Sequence, residues 1–268
     1  MPEKYVIKWR SKRILGHELN LDKPRTFNEK INWINLNSRN PLRTIVADKY
    51  AARDYISRTV GEQYLVPLVF HTKNAYEIKP QHLPDYPVII KCNHNCGGGV
   101  IVKDKSKIDW EDVRRHFAKL LRKKYYYYFK ERQYKNIEPC IIVEKLLLDE
   151  NKIEAYDYKF RCLNGNVETI NVVMDRFGDR KANKYDRDWN LIEMSVHRRG
   201  KDIEKPDLLD EMISIVETIA KDFRFVRVDC YYVGGKIYVG ELTLTPLAGM
   251  TRFSPPEWDK RLGDKLML

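Results

Sequence analysis

Nowhere in the 268 residues does an apolar run approach the ~18 residues that a membrane-spanning helix needs. Residues 1–13 are basic but lack the ~7–15-residue apolar core of a secretory signal, so a cytoplasmic protein is expected. Cysteine is scarce and odd in number. Cys92, Cys96, Cys140, Cys162 and Cys230 cannot all pair, and three of them sit in strand-like hydrophobic runs where a reduced thiol packs as a small apolar group. Acid is short relative to base, with 38 Asp and Glu against 49 Lys and Arg and a net charge of +11. That imbalance favours an anionic partner, whether nucleotide, nucleic acid, acidic polymer or membrane face, without choosing among them. Also missing are a Gly-Lys-Ser or Gly-Lys-Thr phosphate loop and any Ser-His-Asp or Cys-His nucleophile arrangement. What is present is 43 % hydrophobic residues, enough for one large domain or two intimate lobes, which excludes a disordered chain.

Phe27, Ile31, Trp33 and Ile34 recur at helical spacing over residues 26–37, with Thr26 or Asn28 as the cap. A second helix is expected over residues 42–59, stopped by Gly61, and a short strand over 65–70. Pro80, Pro84 and Pro87 punctuate a loop into a strand over 88–92, and a longer helix follows over 109–129. Residues 140–148 read as a buried strand interrupted by Glu144 and Lys145, and residues 206–223 as a helix. Two hairpins complete the pattern. The first turns at Asn164-Gly165, where a two-residue loop puts Arg161 opposite Glu168 and sets Asp157, Lys159 and Arg161 on one polar face. The second turns at Gly234-Gly235, between residues 225–232 and 237–243.

The register of the second hairpin decides its chemistry. A strict two-residue loop pairs Val228 with Glu241 and turns Asp229 to the opposite face. A three-residue loop with a glycine bulge pairs Asp229 with Glu241 and Arg227 with Thr243. Two facing carboxylates repel unless a cation lies between them, and Mg²⁺ takes carboxylate and phosphate oxygens in this way. Solvent-facing strand residues, or a plain Arg227 ion pair, would account for the same pattern without a metal. Upstream, a strand carrying Lys91 runs into Asn93, His94, Asn95 and the glycines Gly97, Gly98 and Gly99. Such a turn lets backbone N–H groups approach phosphate oxygens, although a tight hairpin needs no ligand. Cys92, His94 and Cys96 alternate as zinc ligands would, but a fourth ligand is missing. The four tyrosines at 125–128, between lysines, read either as a stacking platform for RNA or polysaccharide or as a helix end with half its rings packed.

Asp48-Lys49 opening a helix, Lys91 before the glycines, Glu144 ending a buried strand, then Arg227, Asp229 and Glu241 form an order that resembles the ATP-grasp superfamily. The phrases Thr26-Phe27-Asn28-Glu29-Lys30, Ala47-Asp48-Lys49-Tyr50, Lys91-Cys92-Asn93-His94, Tyr156-Asp157-Tyr158-Lys159-Phe160 and Gly240-Glu241-Leu242-Thr243 are similar to the TupA-like ATP-grasp family of bacterial polysaccharide biosynthesis, over residues 24–255. The resemblance implies an α+β fold in which two lobes with antiparallel sheets enclose a nucleotide. It divides the chain into an N-terminal helical region over 1–86, a small lobe with a glycine-rich lid over 87–139, and a large lobe with the metal site and acceptor loops over 140–268. It implies ATP and one or two Mg²⁺ ions. Lys49 and Lys91 would contact phosphates, and Gly97, Gly98 and Gly99 would form the lid. Glu144 and the backbone of Lys145 and Leu146 would hold the adenine, with Asp149 or Glu150 near the ribose. Arg227 would stabilise the transferred phosphoryl group, Lys159 and Arg161 would make a second phosphate or substrate contact, and Asp229 and Glu241 would bind magnesium. One departure is Thr243, where family members commonly place an asparagine; a hydroxyl is a weaker ligand for a second ion.

The implied chemistry is a carboxylate–amine ligation through an acyl phosphate, joining an amino acid or other amine to a uronic-acid sugar of a surface polymer. Positioning and charge neutralisation do most of such work, which agrees with the absence of a nucleophile arrangement. The partners expected are an anionic sugar or lipid-linked polysaccharide acceptor and an amine, with no nucleic acid. Acceptor contacts are expected from residues 175–178, 185–189, 197–199 and 249–254. Phosphotransfer to a sugar hydroxyl is a rival, as is a non-catalytic polyanion-binding role. Tyr5, Trp9 and Ile14 either rest on an anionic inner membrane leaflet or pack against the first helix.

Overall fold

The computed structural model describes residues 2–151, 153–174, 178–194 and 198–268. The N-terminal region is helical, with α1 (Glu3–Leu15), α2 (Phe27–Asn37), α3 (Leu42–Ala47) and α4 (Ala52–Val60). Thr26 caps α2 in a reciprocal box with Glu29, which satisfies N–H groups that the first turn leaves open. Its apolar stripe, Phe27, Ile31 and Ile34, is buried against Leu163, Phe225 and Phe253. The single helix expected over 42–59 is broken at Asp48. That residue is extended, and its carboxylate accepts from the N–H groups of Tyr50 (2.8 Å) and Ala51 (3.2 Å). The break takes Lys49 out of any helix.

A four-stranded sheet follows, in the order β1 (Leu68–Thr72), β4 (Ile141–Lys145), β2 (Val88–Cys92), β3 (Val100–Val102). Its strand β4 lies between β1 and β2, so this sheet takes residues from both sides of the expected boundaries at 86/87 and 139/140. Helix α5 (Trp110–Leu121) buries Val113 and Phe117 against it. The helix expected to reach residue 129 stops at Leu121, and α6 (Tyr126–Phe129) is a separate turn. Two of the four tyrosines, Tyr125 and Tyr126, are partly covered, while Tyr127 and Tyr128 are exposed.

The second sheet has five strands, in the order β7 (Lys181–Tyr185), β6 (Asn166–Met174), β5 (Asp157–Leu163), β8 (Phe225–Val233), β9 (Lys236–Thr243). Alternation decides its two faces. Tyr158, Phe160, Cys162, Val226, Val228 and Cys230 are buried in one core with Met212, Val216 and Ile219 of α7 (Leu209–Ala220). Each large apolar side chain buried there contributes roughly 1.5–3 kcal/mol. The intervening residues put the polar set on the opposite face. Helix α8 (Glu257–Lys265) closes the chain against α2.

Both hairpins carry a bulge within a strand. In β8–β9 the loop is the two-residue kind, with Val233 opposite Lys236, yet Asp229 still faces Glu241 and Arg227 still faces Thr243. The extra residue is Gly240, within β9 rather than in the loop. In β5–β6 the loop at Asn164-Gly165 is also two residues, but a bulge at Glu168 puts Thr169, not Glu168, opposite Arg161. Glu168 instead pairs with Lys265 at 2.5 Å. Among the described residues, no helix is long and apolar enough to cross a membrane. In α1, Ile14 packs beside the cluster of Ile7, Leu19, Leu21 and Met250, whereas Tyr5 and Trp9 are exposed.

Candidate active site

A cavity of about 430 Å³ is lined from the four-stranded sheet by Lys91, Gly97, Gly98, Gly99, Glu144, Lys145 and Leu146, and elsewhere by Lys49 and Glu241. Nine of the residues singled out in the sequence thus meet around one space. The glycine turn is formed by Gly97 (φ 77°) and Gly98 (φ 74°), a left-handed conformation that other residues rarely adopt. His116 of α5 hydrogen-bonds the Gly98 carbonyl oxygen at 2.8 Å, which ties the turn to the helix.

Lys49 is positioned by two bonds, its N–H to the Asn93 carbonyl (3.1 Å) and its ammonium to the Asn95 carbonyl (2.6 Å). Its Nζ also lies 3.6 Å from Glu241 Oε1, which links the α3–α4 connection to β9 beside the cavity. The buried Asn93 holds this junction together, donating to Asp48 and to the Glu138 carbonyl and accepting from the Cys140 N–H. Both ring nitrogens of His94 are engaged, by Asn93 Oδ1 and the Lys123 carbonyl, so His94 serves the loop and not a zinc site.

The charged pair that interrupts β4 has a partner set. Glu144, 4 % exposed, is clamped by Lys91 Nζ at 2.6 Å and by Arg53 Nη1 at 3.1 Å. A carboxylate this deep survives only when paired. Arg53 was not foreseen, because it arrives from α4. The N–H groups of Lys145 and Leu146 are bonded to the Pro67 and Pro87 carbonyls. Asp149 does not reach the cavity: its carboxylate accepts from the Asn151 and Ile153 N–H groups in its own turn. Leu147 and Glu154 line the space instead, and Glu154 is paired with Lys103 at 2.8 Å. A hydrophobic residue beside the hinge and an acid beyond the turn carry no signal in the sequence.

Beside the cavity, the polar face of the five-stranded sheet carries two rows. Register places Glu241, Asp229, Lys159, Asn171 and Lys184 in one, and Thr243, Arg227, Arg161 and Thr169 in the next. Directly paired residues share a face, with Cβ atoms roughly 5 Å apart. Asp229 is buried, with Arg227 bidentate on it (Nε 2.6 Å, Nη2 2.7 Å) and Lys159 Nζ at 2.5 Å. Lys159 reaches Asp157 at the same distance. Burial alone would raise the Asp229 pKa, but Arg227 and Lys159 outweigh it and hold the group at about 2. Burial likewise opposes ionisation of Glu241, and Lys49 prevails and lowers its pKa. Burial pulls Arg227 down while Asp229 raises it, and the net effect is upward.

Two carboxylates on paired strands fit a divalent cation with hard-oxygen preference, and the Thr243 hydroxyl, buried without a partner among the described residues, lies one row away. Arg227 and Lys159 now neutralise Asp229, so an ion there has to displace or share their contacts. Of the expected acceptor segments, residues 175–177 and 197 lie outside the described residues.

Comparison with known proteins accords with this architecture. The family model described as TupA-like ATPgrasp matches residues 29–267. Among solved structures, a D-alanine–D-alanine ligase from Bacillus anthracis is 17 % identical, with a TM-score of 0.50, and the match covers 99 % of this chain and 91 % of that one. The same enzyme complexed with ATP is 18 % identical over 83 % of this chain and 62 % of that one, at a TM-score of 0.46. The ATP-grasp ligase PsnB complexed with a minimal precursor is 14 % identical over 86 % of this chain, at a TM-score of 0.46; the match spans 61 % of that chain. The chain therefore spans less than two thirds of the PsnB length. Curated proteins give no match. With the family model covering nearly all of it, the chain belongs to the TupA-like ATP-grasp family.

Proposed function

We propose that this protein is an ATP- and magnesium-dependent carboxylate–amine ligase that joins an amine or amino acid to a uronic-acid sugar during synthesis of a bacterial surface polysaccharide. The observation that carries the reading is the cavity itself, with two lysines and three glycines on one side and the Asp229–Glu241 pair reached through Glu241 on the other. ATP supplies the phosphoryl group. Lys49, Lys91 and the N–H groups of the glycine turn suit the phosphates, and the hinge of Glu144, Lys145, Leu146 and Leu147 suits the base. Asp229 and Glu241, with Thr243 beside them, would hold one or two Mg²⁺ ions, which when bound neutralise phosphate charge. An acid-substrate carboxylate attacks the γ-phosphorus, the bond to the bridging oxygen breaks, and ADP leaves. The amine then displaces inorganic phosphate from the acyl phosphate and loses a proton to give the amide.

In this scheme Arg227 neutralises charge developing on the transferred group, and Lys159 keeps Asp229 ionised. The basic surface, with Tyr5 and Trp9 exposed on α1, suits work at the cytoplasmic face of the membrane, where a lipid-linked acceptor would be met.

Calorimetric binding of ATP with and without Mg²⁺, for wild type beside Asp229→Asn and Glu241→Gln, tests the site. Magnesium-dependent binding that collapses in both variants is expected. A wild-type protein that binds no nucleotide would sink the ligase reading in favour of polyanion binding. Product analysis then separates ligation, where an amide needs added amine, from phosphotransfer, where a phosphoester forms without it.

A further inference from the structure

The acids on the polar face are already matched by cations. Asp157 and Asp229 take Lys159, Asp229 also takes Arg227, and Glu241 faces Lys49, while Glu168, taken off this face by its bulge, holds Lys265. Among the described residues, two cations of this face remain without a carboxylate partner. Lys184 is 7 % exposed, and its Nζ has no partner among the described residues. Arg161 donates Nη1 to Thr169 Oγ1 (3.1 Å) and lies against the rings of Phe27 and Phe253, while its Nε has no partner among the described residues. Between the two, on the intervening strand, the Asn171 amide oxygen is likewise unpartnered. Burying unmatched cations side by side opposes folding, so a fold that keeps them needs a reason. Burial and the adjoining Arg161 push the Lys184 pKa down to about 7, a cost that an arriving anion would relieve.

The positions fix what that anion is to the reaction. Arg161 is on β5 and Lys184 on β7, so a group held by both sits over β6, two strands from Asp229 on β8. At ~4.8 Å per strand this is about 10 Å from the carboxylate pair, too far for the carboxylate that attacks phosphorus. We propose that Arg161 and Lys184 form a subsite for a second anionic group of the acid substrate, a carboxylate or an ester phosphate or sulfate, about 10 Å from the reacting one. The substrate is then at least a dianion, a uronic-acid oligomer in preference to a single sugar. This rests on the ligase reading above.

The test is calorimetric titration of the full chain with galacturonate, tri-galacturonate and, separately, inorganic sulfate, for wild type, Lys184→Met and Lys184→Arg. Wild type is expected to bind the trimer about tenfold or more tighter than the monomer, the scale of a charge-assisted hydrogen bond. Lys184→Met removes that gap and leaves Mg·ATP affinity in place; Lys184→Arg restores part of it. Because the methionine variant loses a buried unmatched charge, its Tm should rise, and Arg161→Lys supplies an independent reading if it does not fold. A trimer preference that survives in Lys184→Met overturns the proposal. If neither uronate binds while nucleotide does, the uronate part of the ligase reading fails and sulfate decides the subsite: retention by wild type with loss in Lys184→Met upholds it, and equal or absent sulfate binding overturns it.

Discussion

The hairpins β5–β6 and β8–β9 share a sheet, a two-residue turn and a single bulge, yet they do opposite things with charge. In β8–β9 the bulge falls at Gly240 and draws Asp229 and Glu241 face to face. In β5–β6 it falls at Glu168, removes that acid from the polar face and leaves Arg161 opposite a neutral threonine. One hairpin brings two carboxylates together and the other leaves an arginine without one, and the row of Glu241, Asp229, Lys159, Asn171 and Lys184 runs from acidic at β9 to basic at β7. A bulge shifts pairing by one residue, and one residue decides which face a side chain takes.

The acidic end should be the more sensitive. Asp229→Asn leaves Lys159 with Asp157 but strips Arg227 of its bidentate partner, a buried pair broken from one side, and should cost about 3 kcal/mol of stability together with magnesium-dependent nucleotide binding. Denaturant unfolding checks the first part, and calorimetry the second. The same carboxylate predicts an acid limb. With its folded pKa at about 2, below the ordinary 3.8, Asp229 contributes stability above pH ~4 that is lost as pH falls through about 2. The shift corresponds to about 2 kcal/mol. Unfolding curves between pH 5 and 2 should be flatter in Asp229→Asn than in wild type; parallel curves would mean that other carboxylates set the acid transition.

Gly240 gives the next largest effect and separates register from charge. A Cβ there would stand 2.5 Å from Tyr231 Cε2, so the ring or the strand has to move. Gly240→Val should cost about 2 kcal/mol and weaken Mg·ATP binding while every charged residue is kept. Affinity equal to wild type would mean that the bulge does not set the carboxylate pair.

How much of this was legible depends on where the cause lies along the chain. Helical spacing and a capping threonine gave α2, and alternation gave both faces of the five-stranded sheet, because those patterns are local. The pairing of Asp229 with Glu241 was reached through the wrong device, a longer loop, since nothing in Gly234-Gly235 announces a bulge at Gly240. Asp48 broke a helix that its neighbours favour, because its carboxylate competes for the N–H groups of Tyr50 and Ala51. Arg53 on Glu144 and Glu154 at the cavity were invisible because each depends on contacts between distant segments, whereas Lys49, Lys91 and the three glycines stood out by type and order.

The smallest effect belongs to the other bulge. Glu168 and Lys265 are paired across 97 residues, but the lysine is largely exposed, and such pairs contribute about 0–1 kcal/mol. Glu168→Ala should therefore leave stability and Mg·ATP affinity within error, even though this glutamate occupies the place in its hairpin that Gly240 occupies in the other. If the comparison holds, the first bulge matters through its backbone and not through its side chain, and deleting Glu168 outright should do more than truncating it. Deletion keeps Cys162 opposite Val167 and Arg161 opposite Thr169 but removes the bulge and the local twist it gives the hairpin; truncation keeps the bulge and only empties its side chain. Thermal unfolding of the two variants side by side should show a drop for the deletion alone. Equal losses would place the importance of Glu168 in its ion pair and not in the bulge it forms.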